Sequence, residues 1–138
     1  ELLSTLIDDG RRLAVATSKP IPYAVPIIEH FALREYFEVV CGPALDGVGA
    51  DKTVVVADAL ASLGLHSGSN VLLVGDRSHD VLGAHGNGIA CIGALWGYGS
   101  REELTAAGAD ALASDAEELA ALLGVRLSRD LVADKLEP

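Results

Sequence analysis

Four short runs of the chain are apolar at consecutive positions and rich in β-branched residues: Leu13 to Thr17, Phe37 to Cys41, Val71 to Val74, and Ile89 to Ile92. A strand with one wet face alternates apolar and polar residues. A run that is apolar throughout suits a parallel sheet covered on both faces. Between these runs the spacing turns helical, in Ile27-Ile28-Phe31, in Ala57-Leu60-Ala61, and in Leu119-Leu122-Leu123, which stops at Gly124. Strand and helix in alternation predict an α/β fold, a doubly wound parallel sheet of Rossmann-like type with three layers, α/β/α. Thr53-Val54-Val55-Val56 has strand propensity, but helical spacing from Ala57 to Leu63 and a stop at Gly64 follow it. A helix from about Asp51 to Leu63 is the better reading. Gly83-Ala84-His85-Gly86-Asn87-Gly88 closes a helix and does not open one after a strand, so it reads as a cap and turn, not a dinucleotide loop. Residues 1–124 read as one domain; the more polar Val125 to Pro138 reads as a surface tail or terminal helix.

Composition narrows the function. With 138 residues, half of them hydrophobic, one domain with a real core is expected. Twenty acidic against 10 basic side chains, a net charge of -10, would repel a polyphosphate backbone, so nucleic acid is not an expected partner. No apolar stretch approaches the about 18 residues that span a bilayer, and no export signal opens the chain, so no membrane partner and a cytoplasmic location are expected. Cys41 and Cys91 are isolated in apolar runs and read as two buried thiols in a reducing compartment.

The sharpest chemical feature is Gly75-Asp76-Arg77-Ser78-His79-Asp80, directly after the run Val71 to Val74. A buried strand there carries two carboxylates to the carboxyl end of the sheet, where open α/β folds bind ligands. Asp76 leaves the strand after a glycine, and Asp80 follows one helical turn later on the same side. Converging carboxylate oxygens suit Mg²⁺, a hard cation. The bland alternative makes Asp76 a helix cap and Asp80 a solvated residue. Ala16-Thr17-Ser18-Lys19-Pro20 ends another buried run in two hydroxyls and a lysine before a helix-starting proline; hydroxyls and free backbone amides there form an anion pocket, or else only cap a helix. Lys52 follows the glycine-rich stretch Gly42 to Gly49. At a helix start it opposes the dipole, and on spacing alone an exposed lysine lying over the surface is the better reading. His30, His66, His79 and His85 read as structural or surface residues, and Trp96-Gly97-Tyr98-Gly99 as a rim or a packing turn.

Taken in order, Leu13 to Pro20, Lys52 and Gly75 to Asp80 resemble the motifs of the haloacid dehalogenase (HAD) superfamily, in particular its phosphoglycolate phosphatase-like branch. The likeness continues through Ala84, Gly88-Ile89, Trp96 to Gly99, Glu103-Leu104 and Ala107 to Asp110, and covers nearly all of residues 1–124. It implies a Mg²⁺-dependent phosphohydrolase acting on a small phosphate ester through an aspartyl-phosphate. In that scheme Thr17, with Ser18 and Lys19 beside it, binds the phosphoryl group. Lys52 neutralises its charge, Asp76 ligates Mg²⁺, and Asp80 holds a metal-bound water or orients the lysine. These roles agree with the physics of phosphoryl transfer, which is largely electrostatic positioning.

One departure stands out. The family's first strand ends in Asp-x-Asp and carries the nucleophile, and no such motif precedes Thr17; Asp8-Asp9-Gly10 closes a predicted helix. The helical cap is missing too. The chain is therefore expected to be the C-terminal portion of a core whose first strand, lying between those that end at Thr17 and Gly75, is elsewhere. Alone it should be inactive and should bind Mg²⁺ weakly. Two other functions stay open: a phosphotransferase with a non-water acceptor such as a tyrosine, and an inactive core serving as a binding module. A dehalogenase would not need the metal loop.

Overall fold

The structure is a computed structural model that describes residues 1–66 and 70–127. Its elements alternate as expected: α1 (Leu2–Asp8), β1 (Ala14–Ala16), α2 (Ile21–His30), a 3-10 turn at Arg34–Tyr36, β2 (Val39–Cys41), α3 (Lys52–Ser62), β3 (Leu72–Gly75), α4 (Ser78–Gly86), β4 (Ala90–Ala94), α5 (Arg101–Ala107), β5 (Ala111–Ala113) and α6 (Ala116–Leu122). All pairings are parallel, but they form two sheets, β1-β2 and β3-β4-β5. The four apolar runs coincide with β1 to β4, of which β3 and β4 extend one and two residues beyond their runs. The run at 53–56 is helical, because Asp51 caps α3 by accepting the Thr53 N–H at 2.8 Å and Val55 and Val56 are buried.

Alternate residues of β4 face opposite layers. Cys91 packs with Val56 and Leu60 of α3, Val81 and Ala84 of α4 and Leu104 of α5, while Ile92 packs with Ala113 of β5 and Leu119 of α6, and with Leu2 of α1. Helices thus cover both faces, as a doubly wound α/β core requires. Leu6, Ala120 and Val125 close one end, with Leu127 against them. The remainder of the expected tail, residues 128–138, lies outside the described residues.

Several expectations needed correction. The sequence reading had no counterpart for β5 or α5. β5 is Ala-Leu-Ala and lacks β-branched residues; it is a strand because it pairs with β4, Ile92 opposite Ala111 and Ala94 opposite Ala113. Cys91 is fully buried and its thiol is pushed up to about 12, chiefly by burial, but Cys41 is only half-buried. β3 was expected to be covered on both faces, yet Leu72 and Val74 are 39 % and 40 % exposed. The cause is topological: β3 pairs only with β4, and α6 packs over β5, leaving the outer face of β3 open. Among the described residues no strand pairs with the edge of β1 away from β2 or with the edge of β3 away from β4.

Candidate active site

β3 ends at Gly75 and hands the chain to Asp76 and then to α4, whose N-cap is Arg77. Neither part of the bland capping alternative is found. Asp76 is not the cap, and Asp80 is not solvated but 5 % exposed. Asp80 Oδ2 accepts the backbone N–H groups of Asp76 at 3.0 Å and Arg77 at 3.1 Å, and Oδ1 meets Lys52 Nζ at 2.9 Å. Burial opposes ionisation of this carboxyl, but the lysine and the two amides outweigh burial and hold it below the usual carboxylate range. Gly75 is needed for space, since a Cβ there would stand 2.6 Å from Asp80 Cγ.

Lys52 is where the structure departs most from spacing alone. It opens α3, yet its side chain is only 9 % exposed; it lies against α4, where a Cβ on Gly83 would come within 2.7 Å of its Cγ. Its ammonium donates to the Ala16 carbonyl at the end of β1, at 2.5 Å, and pairs with Asp80 behind β3. One side chain thereby ties the end of β1 to the first turn of α4. The carboxylate that offsets the unfavourable helix dipole is Asp80, 28 residues away in sequence.

Thr17, Ser18 and Lys19 follow β1 at the same end. With Ala16, Lys52, Val74, Gly75, Asp76, His79 and Asp80 they line a cavity of about 310 Å³ between the ends of β1 and β3. All six residues proposed from sequence therefore converge. His79, read as a surface residue, joins them, its Nε2 3.8 Å from Asp80 Oδ1. The expected helix amides do not contribute. Pro20 and Pro22 have no N–H, and the Ile21 N–H is taken by the Pro43 carbonyl at 3.0 Å. Anion binding there falls to the hydroxyls, the lysines and the Ser18 N–H, which no hydrogen bond engages among the described residues. A larger, more open depression of about 470 Å³, lined by Ala57, Leu60, Asn87 and neighbours, holds none of these groups.

Asp76 is positioned by a segment that the sequence reading left as a rim or packing turn. The Tyr98 N–H donates to Asp76 Oδ2 at 2.8 Å and the Gly99 N–H to the Asp76 carbonyl at 2.9 Å. Among the described residues no hydrogen bond engages Oδ1. Glu103 Oε1 accepts Arg77 Nε at 3.0 Å and the Ser78 N–H at 3.1 Å, which holds its carboxyl at about 2, first through the Ser78 amide and then through Arg77. Ser100 accepts the Glu103 N–H at 3.1 Å, so a Ser-x-x-Glu capping signal was present to mark α5, though not its reach across to Arg77.

Among the described residues no group of three or more His, Cys, Asp or Glu side chains is gathered for a metal. That does not argue against Mg²⁺, which keeps its waters and uses one or two carboxylates together with substrate phosphate. A carboxylate oxygen with no protein partner, beside an anion pocket, fits that pattern.

The family model described as haloacid dehalogenase-like hydrolase matches residues 1–94. The chain belongs to that family. Among its relatives, a 5'-nucleotidase of Pseudomonas aeruginosa is 45 % identical over 106 residues, 77 % of this chain and 48 % of that protein. The tyrosine-protein kinase PtkA of Mycobacterium tuberculosis is 42 % identical over 126 residues, 90 % of this chain and 43 % of that protein. The crystal structure of a predicted phosphatase from Clostridium acetobutylicum matches with a TM-score of 0.85 at 42 % identity, over 88 % of this chain and 56 % of that one. This HAD-like chain spans about half the length of the curated relatives it matches. Among its described residues no helix is long and apolar enough to cross a membrane.

Proposed function

We propose that the intact protein is a Mg²⁺-dependent phosphatase acting on the phosphate monoester of a small metabolite. The observation that carries this reading is the convergence of Thr17, Ser18, Lys19 and Lys52 with Asp76 and Asp80 around one cavity at the carboxyl ends of β1 and β3. Thr17 and Ser18 offer hydroxyls to the phosphoryl oxygens, Lys19 adds positive charge at the mouth, and Lys52, aimed by Asp80, neutralises charge that builds in the transition state. Asp76 would hold Mg²⁺, which when bound offsets phosphoryl charge and orients the ester. The open edges of β1 and β3 flank the cavity, and a strand seated between them would carry the nucleophilic aspartate to it. Hydrolysis would then pass through an aspartyl-phosphate.

A second reading has one specific support, the 42 % identity to PtkA over most of this chain. A HAD-like core can pass its phosphoryl group to a tyrosine in place of water. Incubating the intact protein with Mg²⁺ and a panel of phosphorylated metabolites tests the two. Release of inorganic phosphate without an acceptor, abolished in D76N, is expected. Phosphate transfer only when a tyrosine peptide is added would replace phosphatase by phosphotransferase, and no turnover with either would overturn both.

A further inference from the structure

We propose that the turn Gly97-Tyr98-Gly99, together with Glu103 of α5, which holds the adjoining Arg77 and Ser78, is a positioning clasp that aims the Asp76 carboxylate into the cavity and so sets its fit to Mg²⁺. The inference rests on Asp76 being the metal-holding residue of the proposed reaction. Three contacts fix Asp76: its N–H to Asp80 Oδ2 at 3.0 Å, its carbonyl from the Gly99 N–H at 2.9 Å, and its Oδ2 from the Tyr98 N–H at 2.8 Å. With the Asp76 main chain held at its N–H and carbonyl and Oδ2 tied to the Tyr98 amide, χ1 and χ2 are both constrained, which sets the direction of Oδ1. The tie uses main chain and not a side chain, and the Tyr98 ring itself is 93 % exposed.

Gly97 and Gly99 show how close the approach is. A Cβ on Gly97 would stand 2.7 Å from Asp76 Cγ and overlap its Cβ and Oδ2; a Cβ on Gly99 would overlap the Asp76 carbonyl oxygen. Neither glycine has a positive φ, so space and not backbone conformation is what excludes a side chain. On the far side, Glu103 grips Arg77 Nε and the Ser78 N–H, and its own helix is seated by the fully buried Leu104. Asp76 is thereby bracketed between the turn and the first turn of α5. Such outer contacts matter most for a cation with strict demands. Mg²⁺ requires near-ideal octahedral geometry, whereas Ca²⁺ accepts 6–8 ligands in loose arrangements.

The test compares Mg²⁺ and Ca²⁺ affinities of the intact protein by isothermal titration calorimetry, with thermal unfolding of the metal-free protein alongside. G97A is expected to lower Mg²⁺ affinity about tenfold or more, the usual effect of disturbing a ligand's support, and Ca²⁺ affinity by less, so that the ratio of Mg²⁺ to Ca²⁺ affinity falls. E103Q, at a partly exposed position, is expected to move the ratio in the same direction by less, and carries the test alone if G97A does not fold. Unchanged ratios in the folded variants, or equal losses for both cations, would overturn the clasp. D76N separates the underlying reading: if it binds Mg²⁺ like the wild type, Asp76 is not the ligand, whatever the clasp variants do.

Discussion

Removing the carboxylate charge at Asp80 should expose how much of this site is held together by one ion pair. The side chains of Lys52 and Asp80 are only 9 % and 7 % exposed. In D80N one of the two side-chain atoms must be an amide nitrogen. It would face either the Lys52 ammonium or the two backbone N–H groups that Oδ2 now accepts, so no rotamer satisfies all three donors. Breaking a buried pair by removing one partner costs about 3–5 kcal/mol, because the other charge is left without compensation. K52M should also destabilise, though less, since Asp80 keeps its two amide bonds. In the double variant the asparagine oxygen can take the amides while its nitrogen lies against methionine. The double variant should therefore be more stable than the sum of the singles by about 2–3 kcal/mol. Urea unfolding of the intact protein at pH 7 measures all four corners of this cycle. The pH dependence follows from the depressed carboxyl. Its stabilising contribution is complete above the ordinary value of 3.8 and fades as pH falls through the lower folded-state value, so the gap between wild type and D80N should narrow in acid. Additive single losses, within about 0.5 kcal/mol, together with a gap independent of pH, would refute the ion-pair argument.

Two further outcomes test the scaffold around the site. Leu104 is fully buried where α5 meets β4 and α4, so L104A should cost about 2–5 kcal/mol by urea unfolding; a loss under about 1 kcal/mol would show that α5 does not share the core. Glu103, held at about 2 against an ordinary 4.5, contributes stability that is present above pH 4.5 and lost between there and about 2. E103Q should flatten the acid limb of stability in that window, less so at high salt because the carboxyl is 28 % exposed. An identical acid limb in wild type and E103Q would contradict the bond to Ser78 and Arg77.

Much of this protein was readable locally. The four apolar runs mark where β1 to β4 fall, and Asp51 before Lys52 and Ser100 before Glu103 are caps that act within one turn of chain. The loop Gly75 to Asp80 announces itself because a strand, a glycine and two carboxylates one helical turn apart are all local facts. Thr17, Lys52 and Asp76 line one cavity because β1 and β3 end, and α3 begins, at the same side of the fold.

Contacts between distant segments decided the rest. Spacing alone favoured an exposed Lys52. Only the packing of α3 on α4 buries its stem and brings it to Asp80 and the Ala16 carbonyl. β5 exists because β4 offers it a parallel edge, since Ala-Leu-Ala has little strand preference of its own. The exposure of Leu72 and Val74 comes from α6 packing over β5 and not over β3, which the composition of their own strand does not reveal. The hold of Tyr98 and Gly99 on Asp76 is carried by backbone amides across 22 and 23 residues, and main-chain donors are the same at every non-proline position. Residue type along the chain determined β1 to β4, the helix caps and which groups carry charge. Tertiary structure alone determined which of those charges meet, because burial and hydrogen-bond partnership between distant segments are properties of the packed fold.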